Sequence, residues 1–181
     1  FLEKEDNDFF RIISIGRFDE LKDYETAIKA VEHLVETNPQ LINIKYQIIG
    51  YGNYSIKSQL HNSICEKKLE DVIKIIDNPT NINRYYANAN VFLSTSIFEG
   101  FSNAIMEAML FKLPVIATNV GDNEYLVEDK ITGFIVDIKS HLIIADKLLL
   151  LFRNKNSGLT MGKNGYKKIT NEFGLKAMEL K

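Results

Sequence analysis

Six short apolar segments alternate with helical patterns along this chain of 181 residues. Each segment is rich in β-branched residues and almost continuously apolar, which is typical of parallel strands covered on both faces. Right-handed crossovers between such strands produce a doubly wound sheet. The sequence therefore predicts an α/β fold, a Rossmann-like doubly wound parallel sheet of about six strands with helices on both faces. The predicted strands are residues 9–16, 44–50, 71–76, 91–95, 113–118 and 133–136.

Helical periodicity fills the intervening segments. In residues 23–37 the apolar side chains recur at i, i+3, i+4 and i+7, on one face of a helix. The tail, residues 159–179, predicts a closing pair of helices interrupted near Gly174. The other predicted helices are residues 54–67, 82–89, 102–111, 123–127 and 140–153.

Composition and charge narrow the classes of function. The chain is 45% apolar and 25% charged, as expected of one globular domain with a sizeable core. Its net charge of −2 provides no overall basic field, which argues against general nucleic-acid binding. A single cysteine, Cys65, fits a reducing compartment, and no apolar stretch is long enough to predict a transmembrane helix. Because the chain opens on Phe1 without a signal-peptide pattern, we expect it to be part of a longer protein.

Two carboxylates, Glu99 and Glu107, stand eight positions apart around the start of the predicted helix 102–111. Free backbone N–H groups at a helix start attract phosphate, and carboxylates accept hydrogen bonds from vicinal diols. Ser102 is the expected N-cap of this helix. Glu107 has apolar neighbours in the sequence, so we expect a partly buried carboxylate that needs a partner such as a ribose diol. Taken alone, a helical glutamate is about as often a solvated surface residue.

Two cations, Arg17 and Lys22, follow Gly16 at the end of the first predicted strand. Surface cations are commonly just solvated. These two, however, would leave the sheet at the edge where the carboxyl ends of parallel strands meet and where ligands bind. The residues 50–52, 77–78 and 96–103 are predicted to converge on the same edge. There Arg17 and Lys22 could neutralise a diphosphate without a metal ion, and the sequence contains no metal-ligand spacing.

Five segments together resemble the C-terminal, donor-binding domain of retaining glycosyltransferases of family 4 (glycosyl transferases group 1), which is one half of a GT-B fold. They are GRF…K (16–22), IIGYG (48–52), YYANANVFLSTSIFEGFSNAIMEAM (85–109), LPVIAT (113–118) and ITGFIV (131–136). The resemblance implies that residues 1–181 form a C-terminal nucleotide-sugar-binding domain, with the N-terminal acceptor domain absent from this chain. Alone, such a fragment would bind nucleotide weakly and transfer sugar poorly or not at all.

The resemblance also implies a role for each matching residue. Arg17 and Lys22 would bind the donor diphosphate, and Glu99 would contact the donor sugar near the reacting centre; these three are the predicted catalytic residues. Glu107 would hold the ribose hydroxyls. Amides of the helix entry would bind phosphate, and main-chain groups near residues 76–78 would contact the base. The predicted donor-binding residues are Gly16, Arg17, Lys22, Gly50, Gly52, Ile76, Asp77, Asn78, Glu99, Gly100, Phe101, Ser102, Asn103 and Glu107.

The implied reaction is transfer of a hexose from a nucleoside diphosphate sugar to a glycan or lipid-linked acceptor in cell-surface polysaccharide synthesis. A UDP-sugar is the expected donor, no metal or other cofactor is expected, and the anomeric configuration would be retained. The full protein is expected in the cytoplasm, with peripheral association with the inner face of the membrane. Two positions depart from the family: Asp23 stands where glycine is common, and residues 122–125 replace a G-x-P-E sequence after Gly121.

Three other functions fit the same fold class. A dinucleotide-dependent oxidoreductase is disfavoured because the glycine pair at Gly50 and Gly52 lacks the third glycine of the dinucleotide motif. A sugar epimerase is disfavoured because no acid–base pair is evident in the sequence. A non-catalytic nucleotide-sugar sensor stays a possible function. It would be distinguished from a transferase by whether an acceptor domain is encoded upstream of this chain.

Overall fold

The computed structural model describes residues 9–41 and 43–173, which form one six-stranded parallel sheet. The strand order is β3-β2-β1-β4-β5-β6, and every neighbouring pair is parallel. This arrangement confirms the predicted doubly wound α/β fold. The strands are β1 Phe10–Phe18, β2 Ile44–Gly52, β3 Ile73–Asp77, β4 Val91–Ser94, β5 Val115–Thr118 and β6 Gly133–Val136.

Seven α-helices and one short 3₁₀ turn, Glu20–Lys22, connect the strands within the described residues. The first helix of the predicted closing pair is part of one helix that continues to Phe173, whereas the predicted interruption near Gly174 and the second helix lie outside the described residues. None of the helices described here is both long and apolar enough to cross a membrane. The helices are α1 Tyr24–Thr37, α2 Tyr54–Glu66, α3 Asn83–Asn88, α4 Asn103–Leu110, α5 Asn123–Leu126, α6 His141–Arg153 and α7 Lys155–Phe173.

The hydrophobic core lies on both faces of the sheet. Successive residues of a strand point to opposite faces; accordingly, Ile12 packs in a cluster with α1, α2 and α6, whereas Ile13 packs in a second cluster with α3, α4 and α5. Both isoleucines are fully buried. This two-sided burial explains the continuous apolar runs of the central strands, such as residues 91–93 in β4 and 115–117 in β5.

The first two strands are longer than predicted. The sequence placed their ends at Gly16 and Gly50, but β1 and β2 remain paired for two more residues, to Phe18 and Gly52. At Gly50 the two backbones approach so closely that a Cβ atom would lie 1.8 Å from the carbonyl oxygen of Gly16. The glycines therefore mark a close approach between strands and not their ends, and Arg17 lies on a strand and not in a loop.

The sheet has a switch point between β1 and β4. From β1 the chain proceeds outward through β2 and β3, then crosses back to β4 on the other side of β1. In such sheets the crevice outside the carboxyl ends at the switch point is the usual ligand site. Gly16, Gly50 and Asp77 stand in register at this edge, as the sequence predicted.

Candidate functional site

A cleft of about 460 Å³ opens at the carboxyl edge of the sheet. Its walls bring together side chains from β1 and α4, most notably Arg17 and Glu107, which are ninety positions apart in the sequence. Tyr51 and Ile82 add apolar surface to the same cleft. The predicted site residues that line it are Gly16, Arg17, Gly50, Asn78, Asn103 and Glu107.

A much smaller cavity, with room for about one water molecule, lies beside this cleft. Ile15 and Ala104 line both spaces. The predicted site residues Lys22, Glu99 and Ser102 line the small cavity. Five further predicted residues, which line neither space, are Gly52, Ile76, Asp77, Gly100 and Phe101.

Lys22 and Glu99 form an ion pair across this small cavity. The exposed fractions of their side chains are 22% and 13%, so the pair is shielded from solvent. Ser96 Oγ also donates to Glu99 Oε1, at 2.9 Å. The sequence assigned the two charges to different parts of a ligand and did not predict their contact. A diphosphate that approached Lys22 would therefore meet an ammonium group that Glu99 already holds in place.

Arg17 presents its guanidinium to solvent at the edge of the cleft. Its side chain is 67% exposed, and Nη2 lies 3.5 Å from Asp19 Oδ2. Such an exposed ion pair is weak and can be replaced by another anion at little cost. The guanidinium fork suits the bidentate recognition of phosphate oxygens.

Glu107 is exposed, which corrects the expectation of a buried carboxylate. Helical periodicity turns Ile105, Ala108 and Met109 into the core and Glu107 toward the cleft. The carboxylate also has a partner within the protein, because Tyr86 Oη donates to Oε2 at 2.8 Å. The protein itself therefore supplies a partner for Glu107, and the position of this carboxylate on the cleft wall also suits a ligand contact.

Tyr86 is the residue of this site that sequence reasoning missed. Its ring is 1% exposed and stacks on Phe111 with the centroids 5.3 Å apart. Burial, then the charge of Glu107 and the hydrogen bond to it, raise the pKa of Tyr86 far above its ordinary value, so the hydroxyl remains a proton donor. No local pattern could have indicated this partner, because twenty-one residues separate it from Glu107.

The start of α4 supplies unpaired backbone donors. Ser102 is the N-cap residue by backbone conformation, as predicted, although its side chain makes no capping hydrogen bond. Within the part of the chain that the structure describes, no protein acceptor takes the amides of Phe101, Ser102 or Asn103. These N–H groups, at the positive end of the helix dipole, could bind phosphate.

Two backbone positions near the Glu99 loop, Asp23 and Gly121, adjoin or coincide with the departures from the family pattern. Asp23 has a φ of 43°, in the left-handed region that favours glycine, and its carboxylate accepts a hydrogen bond from Thr26 Oγ1 at 2.7 Å. Gly121 also has a positive φ of 53°, and a Cβ there would lie 2.1 Å from the Glu99 carbonyl oxygen. The glycine that the chain retains thus packs directly under the Glu99 loop.

The remaining predicted residues support the edge of the site. Asp77 is paired with Lys57, and the Asn78 amide donates to Gly50 O at 2.7 Å. Phe101 packs edge-to-face on Phe173, with ring centroids 5.4 Å apart. Across residues 9–41 and 43–173, no group of three or more His, Cys, Asp or Glu side chains is arranged to hold a metal ion.

Solved structures of glycosyltransferases share this fold. The C-terminal domain of the group 1 glycosyl transferase LpcC from Francisella tularensis is 26% identical and superposes with a TM-score of 0.82, over 92% of this chain and 87% of that one. Anabaena HepE, crystallised in complex with UDP, is 20% identical with a TM-score of 0.86, over 95% of this chain and 47% of HepE. The fold is therefore that of the Rossmann-like domains of GT-B glycosyltransferases.

Sequence comparison gives the same family. The capsular polysaccharide biosynthesis glycosyltransferase CapM of Staphylococcus aureus is 31% identical over 176 residues, which cover 92% of this chain and 43% of CapM. The amylovoran biosynthesis glycosyltransferase AmsK of Erwinia amylovora is 29% identical over 171 residues, covering 90% of this chain and 41% of AmsK. The chain thus spans less than half the length of these relatives. Residues 2–168 match the family of glycosyl transferases group 1, and the chain therefore belongs to that family.

Proposed function

We propose that this chain is the donor-binding part of a retaining glycosyltransferase of family 4. The full enzyme would transfer a hexose from a nucleoside diphosphate sugar to a glycan or lipid-linked acceptor in cell-surface polysaccharide synthesis. One observation carries the proposal: Arg17 and Glu107 line the same cleft at the switch point of the sheet, beside the start of α4. A cation, free amides and a carboxylate are the groups that a diphosphate and a ribose require.

Each group would act on a different part of the donor. Arg17 and the amides of residues 101–103 would hold the diphosphate and stabilise the charge that develops on it as it leaves. Lys22, held by Glu99, would contribute a second positive charge, and Glu99 would orient the donor sugar. The transfer would need no metal ion, and the departing phosphate would help to deprotonate the acceptor.

The names of the relatives support the substrate class. CapM and AmsK are glycosyltransferases of capsular polysaccharide and amylovoran biosynthesis, and HepE is crystallised with UDP, with UDP and glucose, and with UDP-glucose. By analogy, a UDP-sugar is the proposed donor here. We further propose that this chain is the C-terminal domain and that acceptor binding belongs to a separate N-terminal domain. The cytoplasmic location at the inner face of the membrane stays a prediction.

Calorimetric titration of the chain with UDP, GDP and ADP tests the proposal. Glu107→Ala removes a charged acceptor whose hydrogen bonds are worth roughly 1.5–3 kcal/mol each; we therefore expect UDP affinity to fall at least tenfold. Arg17→Ala should weaken UDP binding and barely change uridine binding. Lys163→Ala, an exposed cation on α7, is the matched control and should bind like the wild type.

Two results would contradict the proposal at different levels. Equal UDP affinity in the wild type and Glu107→Ala would remove Glu107 from the ribose site. Binding of NADH, with no nucleoside diphosphate bound at millimolar concentration, would reject the donor-binding function as a whole.

A further inference from the structure

The Glu107 carboxylate is exposed, but a hydrogen bond from the protein core holds it in place. Its Oε2 accepts the hydrogen bond from the buried hydroxyl of Tyr86. The Tyr86 ring is confined by stacking on Phe111 and by a second contact with Phe92, at a centroid distance of 6.0 Å. A glutamate on a helix surface ordinarily moves between rotamers, and a charge-assisted hydrogen bond to a buried donor restricts that motion.

The hydrogen bond also makes the two carboxylate oxygens of Glu107 different: Oε2 is bound by Tyr86, and Oε1 is not. Tyr86 has one hydroxyl proton, and its nearer acceptor is Oε2 at 2.8 Å; the Ala104 carbonyl oxygen lies farther away, at 3.3 Å. Within residues 9–41 and 43–173, no protein group donates to Oε1. Since Glu107 lines the cleft, Oε1 remains available to an O–H donor that enters it.

We propose that Tyr86 is a positioning residue for nucleotide recognition: it fixes Glu107 so that the free oxygen selects ligands with an intact ribose diol. The substrate class is then a ribonucleoside diphosphate in preference to its deoxy counterpart. This proposal rests on the proposed function, because it assumes that a nucleoside diphosphate occupies the cleft. A carboxylate that is already oriented loses less conformational entropy when the ligand binds.

The test compares binding of UDP and of 2′,3′-dideoxyuridine diphosphate by calorimetry. Wild type should prefer UDP at least tenfold. Tyr86→Phe keeps the buried ring and removes the hydroxyl, so the preference should fall about fivefold or more, mostly through weaker UDP binding. Tyr85→Phe is the matched control: it removes the neighbouring hydroxyl, which accepts from Arg84, and should keep the wild-type preference.

The ratio of the two affinities separates positioning from a packing role. If Tyr86 only supported the fold, its loss would weaken both nucleotides equally and leave the ratio unchanged, and that result would overturn the proposal. If Tyr86→Phe does not fold, Phe111→Leu, which keeps the hydroxyl but removes the stacked ring, should lower the ratio in part; an unchanged ratio again overturns the proposal. If the wild type binds UDP but the affinity ratio is the same in Tyr86→Phe, the positioning proposal fails and the proposed function stands. If the wild type does not bind UDP, the positioning proposal and the proposed function are both rejected.

Discussion

Replacing Gly50 by alanine should destabilise the fold at the floor of the cleft. The added Cβ would stand 1.8 Å from the carbonyl oxygen of Gly16, whereas ordinary contacts begin near 3.4 Å. β1 and β2 would therefore have to separate by roughly 1.5 Å at this point. That shift also pulls on the hydrogen bond from the Asn78 amide to Gly50 O.

The magnitude follows from two contributions. Overpacking of this kind costs about 1–3 kcal/mol, and one or two weakened hydrogen bonds add about 1 kcal/mol each. A loss of about 2–5 kcal/mol is a large part of the roughly 5–15 kcal/mol that stabilises a typical domain. With a urea m-value of about 1–3 kcal/mol/M, the unfolding midpoint should fall by roughly 1–2 M.

Equilibrium urea unfolding followed by circular dichroism measures this loss. Gly100→Ala is the matched control in the same sheet edge, because no atom lies within 4 Å of its added Cβ and its φ is not left-handed. Its effect should stay within about 0.5 kcal/mol. The reasoning would be refuted if Gly50→Ala unfolded at the same urea concentration as Gly100→Ala, since the two strands would then tolerate a side chain between them.

Two further predictions concern groups beside the cleft. A double-mutant cycle with Lys22→Met and Glu99→Gln should give a coupling free energy of about 1–2 kcal/mol in thermal unfolding, because the pair is largely shielded from solvent; a coupling near zero would contradict the shielded pair. Among the described residues, the buried Tyr24 hydroxyl has no hydrogen-bond partner, so Tyr24→Phe should leave the free energy of unfolding unchanged or raise it by up to about 1 kcal/mol. Tyr46→Phe, which loses a hydrogen bond with Ser14 Oγ at 2.9 Å, should lower it by about 1 kcal/mol; equal losses in both variants would refute the contrast.

The sheet and its ligand edge could be predicted because they depend on patterns that extend over whole segments. Continuous apolar runs identify two-faced parallel strands, and the alternation with helices then places Gly16, Gly50 and Asp77 at one edge. Strand ends were harder, since the pairing of Phe18 with Gly52 depends on the neighbouring strand and not on local composition.

The chemistry of the site was less predictable because its contacts join distant residues. Seventy-seven positions separate Lys22 from Glu99 and twenty-one separate Tyr86 from Glu107, so no local motif encodes either contact. The exposure of Glu107 has a simpler reason: its apolar sequence neighbours predict burial, but the turn of α4 directs Ile105, Ala108 and Met109 inward and Glu107 outward.

The position of β1 in the middle of the sheet has a consequence for how the nascent chain matures. Its partner β4 lies about eighty residues farther along, so at roughly 5–20 residues per second the ribosome needs several seconds to supply it. During that delay β1, β2 and β3 can assemble, but the open flank of β1 exposes strand groups that invite aggregation. The cleft between Arg17 and Glu107 can form only after β4 and α4 have been synthesised. Until then the partly formed sheet of β1, β2 and β3 depends on chaperones for protection against aggregation.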